Sequence, residues 1–590
     1  MKKKNSDLQL ISYLYFRLLP AQILLVLVAA VNSTISGLFG SNFVGAAVMS
    51  ALGLYGPINK FLTAVNTVFV GGSQIICGKY MGKNEIEKTQ DVFSLDLLAV
   101  TGISVLTITV FIVSALTGLT RVLAPDPVMR ETLNKYILGQ AIGILPMMLG
   151  QQLSAFLAFE NQSKRTMTAS LACIVVNIAA NFLFVVVLKM NAFGLALASS
   201  LGMWAFFGIQ FSYYLSKKSI FKWNHIPTDR SDIQNILKTG YPGALSTGYQ
   251  TIRGLILNVL IVQYVGSVGL SSFAASDSVM ALFWAIPSGM LTVSRMLMSI
   301  AIGEEDRKSL ADVMRIVMYK CIPLMYCICA LIIVCAVPIT RLFYRDPADP
   351  VYGMTVMAFR LIPLCMPLSI IFMHAVCYGQ ASGKQILVHV LSLLDGVLCM
   401  AVFSALLVPV IQMNGIYIAF TLNGIVCALT ILLYSCIQLK KFPKNMEEYM
   451  VIPDDFGVGE DDRIDISVRE MSEVMSVSQQ VIDFCKAHGI DDRRSYFSGL
   501  FLEEMAGNVV DHGFSKDNKT HSVDIRVVHK DDDVILRIKD DCVPFDPSER
   551  RDLIDSKDRM KNKGISMVYK GAKDILYQNM LGLNVLTIRI

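Results

Sequence analysis

The chain has 590 residues, of which 54% are hydrophobic and 17% charged, and its formal net charge is +5. That balance lies outside the range of ordinary soluble domains. The positive excess gathers in alternate loops between apolar runs, which argues for membrane topology and against a nucleic-acid partner. The 13 cysteines show no paired C-x-x-C spacing and most lie in apolar segments, which excludes a disulfide framework or a cysteine-rich metal module.

Up to about Leu439 the sequence is a series of apolar runs of 20 residues or more, the length that crosses about 30 Å of hydrocarbon at 1.5 Å per helical residue. The pattern predicts about twelve helices, near 16–40, 52–77, 92–120, 133–158, 166–188, 193–215, 236–264, 272–301, 315–342, 354–379, 385–409 and 414–439. Lys2, Lys3 and Lys4 precede the first run, but that run outlasts a secretory signal and is read as a retained helix.

The series is duplicated. GKYMGKNEIEK, from Gly78 to Lys88, has a shortened echo in IGEEDRKSL, from Ile302 to Leu310; Gly82 and Gly303 are 221 residues apart. FENQSK at Phe159 is answered by YGQASGK at Tyr378, and GLALA at Gly194 by GIYIA at Gly415. The expectation is two six-helix halves, residues 1–220 and 221–440, that rock about a shared site. Lys79, Lys83, Lys88, Lys164, Arg165, Arg307, Lys308, Lys384, Lys440 and Lys441 fall on one side of the predicted spans, and the positive-inside rule then places both termini in the cytosol of a multi-pass plasma-membrane protein.

Ionisable groups inside spans mark function or an internal pair, because a charge at a helix centre costs about 2.5–3.5 kcal/mol on insertion scales. Arg253 lies in the seventh span, Asp277 in the outer part of the eighth and Asp395 near the middle of the eleventh. Arg253 and Asp277 fit either a self-neutralising ion pair or a coupling role, and Asp395 fits a cation or proton site or a protonated core group.

The spans, the GKYMGKNE loop with its GEED echo, and FENQSKRTMTASLACIVVNIAANFLF followed by GLALASSLG resemble the MATE family of multidrug and toxin exporters, within a larger flippase-related superfamily. The likeness covers most of residues 10–440. It implies two lobes around a central cavity and antiport of small organic, often cationic, compounds against Na+ or H+. Members often have an acidic residue where this chain has Asn32, and the repeat-related position is Arg253. An amide can coordinate sodium but cannot release a proton, so proton coupling would fall to Asp277 or Asp395.

Residues 441–463 turn polar, with Pro443, Pro453 and two glycines, and read as a short cytosolic linker. Residues 464–590 then read as a soluble α+β sandwich with helices on one face of a mixed sheet. The predicted elements are a strand at 464–468, helices at 472–488 and 495–512, strands at 521–529 and 534–539, a polar segment at 546–563, a helix near 564–573 and a last strand at 584–590.

In LEEMAGNVVDHGF, Glu504, Asn508 and His512 recur every four residues and share a helical face. That is usually a solvated polar stripe, but a carboxylate and an amide one turn apart also suit a magnesium–nucleotide site. RIKDDCVPFDP puts Asp540 or Asp541 at a strand end, where a carboxylate can accept from an adenine amine, and KNKGISM puts Gly564 at a helix start suited to phosphate. In this order the three resemble the GHKL ATPases, most closely the bacterial anti-sigma-factor serine kinases. The resemblance implies ATP and Mg2+ as cofactors, Asn508 as the metal ligand, Glu504 as general base, Asp540 as adenine reader, Gly564 in the phosphate loop and His512 in support. Cys542 and Ser566 replace two glycines of that pattern, which leaves ATPase or serine-kinase activity open.

The leading expectation is a secondary exporter carrying a cytosolic ATP-binding regulatory domain. The alternatives are a membrane-anchored serine kinase that captures a small anti-anti-sigma-like regulatory protein, and a flippase for lipid or polysaccharide precursors.

Overall fold

The computed structural model describes residues 7–216, 219–223, 231–342, 344, 346–459, 461–516, 521–530, 532–548 and 563–590. Among the described residues, twelve long helical stretches precede the sheet: α1 (Asp7–Phe39), α2 (Ala46–Gly82), α3 (Ile86–Thr117), α4 (Pro127–Phe159), α5 (Ser163–Val187), α6 (Asn191–Tyr214), α7 (Ser231–Tyr264), α8 (Ser267–Gly303), α9 (Arg307–Val334), α10 (Pro350–Ser382), α11 (Gln385–Ile411) and α12 (Met413–Leu439). Eleven are long and apolar enough to cross a membrane; α7, which carries Lys238 and Arg253 among glycine, serine and threonine, falls short on composition alone. Leucines and valines such as Leu106, Leu116, Val334, Leu406 and Leu433 are more than half exposed around the bundle, as lipid-facing positions are. The ninth prediction, 315–342, ran past a break: α9 ends at Val334 and a separate turn, Ala336–Arg341, follows.

α2 and α8 each run for 37 residues, about 55 Å, so their ends project beyond about 30 Å of hydrocarbon. They also close the bundle at the end that carries the basic loops. A Cβ built on Gly240 of α7 would fall 1.8 Å from the Val68 carbonyl oxygen, one on Gly78 1.9 Å from Ser299 Oγ, and one on Gly303 2.2 Å from the Lys79 carbonyl oxygen. Only glycine lets these backbones meet. Gly37, Gly53 and Gly56, at the opposite ends of α1 and α2, and Gly248 and Gly254, farther along α7, have nothing within 4 Å of such an atom. The two halves therefore meet backbone to backbone at the basic end.

The segment after α12 forms a five-stranded sheet, ordered β1 (Arg463–Val468), β2 (Val523–Lys530), β3 (Asp533–Asp540), β5 (Leu583–Arg589) and β4 (Asp574–Met580). Every pairing is antiparallel, which corrects the mixed sheet expected from sequence. β4 was not foreseen: it joins β5 through a tight turn at Leu581 and Gly582, both with positive φ. Helices α13 (Met471–Ala487), α14 (Asp492–Asn508) and α15 (Lys563–Gly571) cover one face, where Val523, Ile525, Val527, Leu536, Ile538 and Ile588 are buried. The period of two sends Arg526, Arg537, Lys539 and Val585 to the other face, which lies on the basic end of the bundle. Most of the polar segment predicted at 546–563 falls outside the described residues.

The linker is not a loose tether. Arg307 Nε donates to Glu447 Oε2 at 2.5 Å and Arg307 Nη1 to the Pro453 carbonyl at 2.6 Å. Lys384 Nζ donates to the Met450 and Val451 carbonyls at 2.9 and 2.5 Å, and burial lowers its pKa to about 8. The proline and glycine content foretold the lack of a long helix, not this attachment to the C-terminal half.

Candidate functional site

Two sets of polar groups stand out, one in each part of the chain. In the N-terminal half, Asn32 of α1 donates through Nδ2 to Cys173 Sγ of α5 at 3.4 Å, and its Oδ1 is buried without a partner. One turn on, Ser36 Oγ meets Ser199 Oγ of α6 at 3.2 Å, and Asn177 Nδ2 of α5 donates to the same hydroxyl at 3.3 Å. Asn181 Nδ2 donates to Asn177 Oδ1 at 3.0 Å, leaving its own Oδ1 buried and unpartnered. A buried amide oxygen without a donor is costly, and a hard cation is one partner that removes the cost. Asn177 and Asn181 were passed over in the sequence, although two amides at i, i+4 within an apolar run were the available signal.

In the C-terminal half, Arg253 and Asp395 come together but not as an ion pair. Arg253 Nη1 donates to the Asp395 backbone carbonyl at 3.2 Å, and its guanidinium lies 5.7 Å from the Phe420 ring centroid. The Asp395 carboxylate, in a π-helical turn of α11, instead accepts from Asn423 Nδ2 of α12 at 2.8 Å. Gly396 beside it is packed against Tyr249 of α7. Asp277 is exposed and makes no ion pair with Arg253 among the described residues. His389, six residues before Asp395, hydrogen-bonds Tyr241 of α7 instead.

Beyond the bundle, a cavity of about 290 Å³ lies between α14 and the sheet. Asn508 and His512 enter its wall from α14 and the turn after it, Asp540 and Cys542 from the end of β3, Tyr577 and Asn584 from β4 and β5, and Phe545 from the following loop. Asp540 Oδ1 accepts from Asn584 Nδ2 at 2.7 Å and from the Cys542 N–H at 2.9 Å. Burial nevertheless pushes its pKa above the ordinary value, ahead of the lowering effect of these bonds. Glu504 stands one turn back, accepting from Asn508 Nδ2 at 3.2 Å. Its carboxylate lies against Gly564, where an added Cβ would approach within 1.9 Å. Four of the five residues singled out, Asn508, His512 and Asp540 directly and Glu504 through Asn508, thus converge, with Gly564 behind Glu504. Cys542 lines the cavity without filling it. Tyr577 belongs to the unforeseen strand β4, and Asn584, at the start of the expected last strand, meets Asp540 only across the β3–β5 pairing; Tyr577 Oη donates to Asn584 Oδ1 at 2.8 Å, fixing the amide that holds Asp540.

The sequence model of the MatE family matches residues 21–183 and 242–410, one stretch in each half and together more than half the chain. The chain belongs to the MatE family. Solved MATE structures share its fold. One in the outward-facing conformation, described as a multidrug resistance MATE family transporter of the MOP superfamily, has 20% identity and a TM-score of 0.68, covering 74% of this chain and 99% of that one. MATE in complex with MaL6 gives 18% and 0.68 with the same coverage. A MOP superfamily transporter from Pyrococcus furiosus, whose binding pocket is described as having reverse polarity, gives 18% and 0.67, again over 74% and 99%. No curated protein matches the chain. Membership of MatE makes the protein a multi-pass membrane transporter with the two-half MATE fold.

Proposed function

We propose that this MatE protein exports small organic, cationic compounds by antiport, and that its C-terminal unit is a nucleotide-binding regulatory domain on the cytosolic side. The observation that carries the transport reading is the glycine seam that closes two duplicated halves at the basic end, since rocking about such a seam exposes a central site to each side in turn. Sodium is the favoured coupling ion. Asn32 and Asn181 offer unpartnered amide oxygens but no titratable proton, while Asp395, held by Asn423, is the carboxylate available in the other half.

The C-terminal cavity fits an adenine nucleotide. Asp540 is a buried acceptor at its floor, Phe545 and Tyr577 supply aromatic walls, and Asn508 and Glu504 stand where a magnesium ion would need oxygen ligands. Bound there, Mg-ATP would supply ligand energy to bias the domain, and the chain's own groups would bind and orient it.

The test is efflux of ethidium from proteoliposomes under an imposed sodium or proton gradient without ATP. Gradient-driven efflux is expected, stronger with sodium; efflux that requires ATP and ignores both gradients refutes secondary transport. Substituting a fluorescent lipid as cargo in the same vesicles would show a flippase instead.

A further inference from the structure

The C-terminal sheet holds both halves of the bundle, and it holds them unequally. Toward the C-terminal half the grip is ionic. Asp306 pairs with Arg526, Glu305 with Lys530, and Glu304 Oε2 accepts from Lys539 at 2.7 Å with Arg537 at 3.6 Å. Lys308 reaches Asp465 of β1 at 3.6 Å, and the linker adds its bonds to Arg307 and Lys384. Toward the N-terminal half the grip is light and uncharged. The Leu581 N–H donates to the Phe159 carbonyl at 2.8 Å, and Gln578 Nε2 donates to the Met81 carbonyl at 3.2 Å. At the tip, Gly582 with φ +77° fits against Asn161, whose side chain is held by Arg17 at 2.5 Å. Met580 and Leu581 share an apolar seam with Leu10 and Leu14 of α1.

We infer that the C-terminal unit is a tie across the basic end of the transporter: seated as it is, it keeps that end closed, and the β4–β5 tip must leave the N-terminal half before the basic end can part. The reasoning is mechanical. β4 and β5 are hydrogen-bonded to each other along their length and through β3 to the strands that hold Glu304 and Asp306, so the sheet cannot stretch as the halves separate. One attachment has to yield. The N-terminal one yields first, because it lacks the buried ion pairs and the linker that fasten the other. The domain therefore travels with the C-terminal half, and anything that loosens the tip favours opening at the basic end.

The tie rests on the two-half transport reading but on neither the cargo nor the nucleotide. Its test uses the full chain in lipid nanodiscs. Spin labels go at Lys164 and Ile386, exposed positions on opposite halves at the basic end, through non-cysteine side chains because of the 13 native cysteines. In Gly582→Val the added side chain meets Asn161, and the population with a long Lys164–Ile386 separation should rise about tenfold, equivalent to about 1.4 kcal/mol. In a second protein, Asn161→Cys with Gly582→Cys, oxidation should abolish the long population and reductant restore it. Distances in Gly582→Val that match the wild type, or a long population that survives oxidation, overturn the tie. Ethidium flux in parallel vesicles separates the two readings: a wild type that moves no cation under any gradient sinks the transport proposal, whereas unaltered distances sink only this one.

Discussion

Replacing Asp306 with asparagine isolates one charge at the centre of the docking face. Asp306 does two things. It caps α9, accepting from the Ser309 N–H at 2.7 Å and the Ser309 hydroxyl at 2.6 Å, and it pairs with buried Arg526. Asparagine caps helices about as well as aspartate, so the helix start survives and the charge alone is lost. Arg526 is not stranded, because Asp465 Oδ1 still accepts from its Nε at 2.7 Å. The expected cost is that of one charge-assisted hydrogen bond, about 1.5–3 kcal/mol. This is less than the about 3–5 kcal/mol for a buried ion left with no partner. The pH dependence follows from the same contacts. Burial would raise the Asp306 pKa, but Arg526 and Lys539 outweigh it and hold the carboxyl well below the usual range. A depressed acid gives stability that is present above the unfolded value, about 3.9, and is lost only as pH falls through the folded value beneath it. The contribution of Asp306 to docking should therefore be flat between about pH 5 and 8, and the penalty in Asp306→Asn equal at both ends. Hydrogen exchange of the full chain reads it: amides of β2 and of the 303–306 loop should open about ten- to a hundredfold more often in the variant. Exchange indistinguishable from the wild type would refute the claim that this pair fastens the domain.

Three further substitutions probe the other parts. Gly240→Leu places its Cβ on the Val68 backbone, which cannot swing away, so overpacking of about 1–3 kcal/mol should shift the bundle away from the state closed at the basic end; unchanged distances across that end count against the seam. Asp540→Asn should weaken ATP binding by the full chain about tenfold in calorimetry, for loss of a charged acceptor. Because burial raises the Asp540 pKa, wild-type affinity should fall as pH is lowered through that raised value, and the variant should lose this dependence; an unaltered Kd refutes Asp540 as the base reader. Asn181→Leu removes an unpartnered amide oxygen at nearly constant volume and should abolish the sodium dependence of ethidium efflux while leaving the protein folded; retained sodium dependence excludes that cluster as the coupling site.

The helices were legible because lipid demands long apolar runs, and the repeat was legible because Gly82 and Gly303 each sit where two backbones touch across the seam, so neither half tolerates a side chain there. Hydropathy understates α7 for a physical reason: its Gly240 and Gly243 approach α2, and Arg253 is spent on a carbonyl of α11, so little of this helix needs to be oily. The α14 triad was legible from a four-residue period. What supports it was not: Asn584 faces Asp540 only through the long-range pairing of β3 with β5, Tyr577 reaches that amide only through the pairing of β4 with β5, and a seven-residue strand with polar Gln578 and Asn579 carries too little alternation to announce itself. Asn423, partner of Asp395, likewise lies on a neighbouring helix 28 positions away, where no local spacing could connect the two.

The two copies of the loop after the long second helix of each half differ in charge, and the sheet is the partner that uses the difference. In the N-terminal half the loop has Lys79, Lys83 and Lys88 with Glu85 and Glu87; in the C-terminal half Glu304 stands where Lys83 does and Glu305 where Asn84 does, ahead of Asp306, Arg307 and Lys308. Acidic residues weigh little in setting topology, so this costs the insertion of α8 and α9 almost nothing. It does create an acidic turn facing Arg526, Lys530, Arg537 and Lys539, which the alternation of β2 and β3 presents on one face. A sheet with that face is drawn more strongly to the C-terminal loop than to the N-terminal one, and this is the asymmetry its attachments display. The divergence of an otherwise duplicated loop thus selects which half carries the domain, and leaves the neutral tip at Leu581 and Gly582 as the contact that can part.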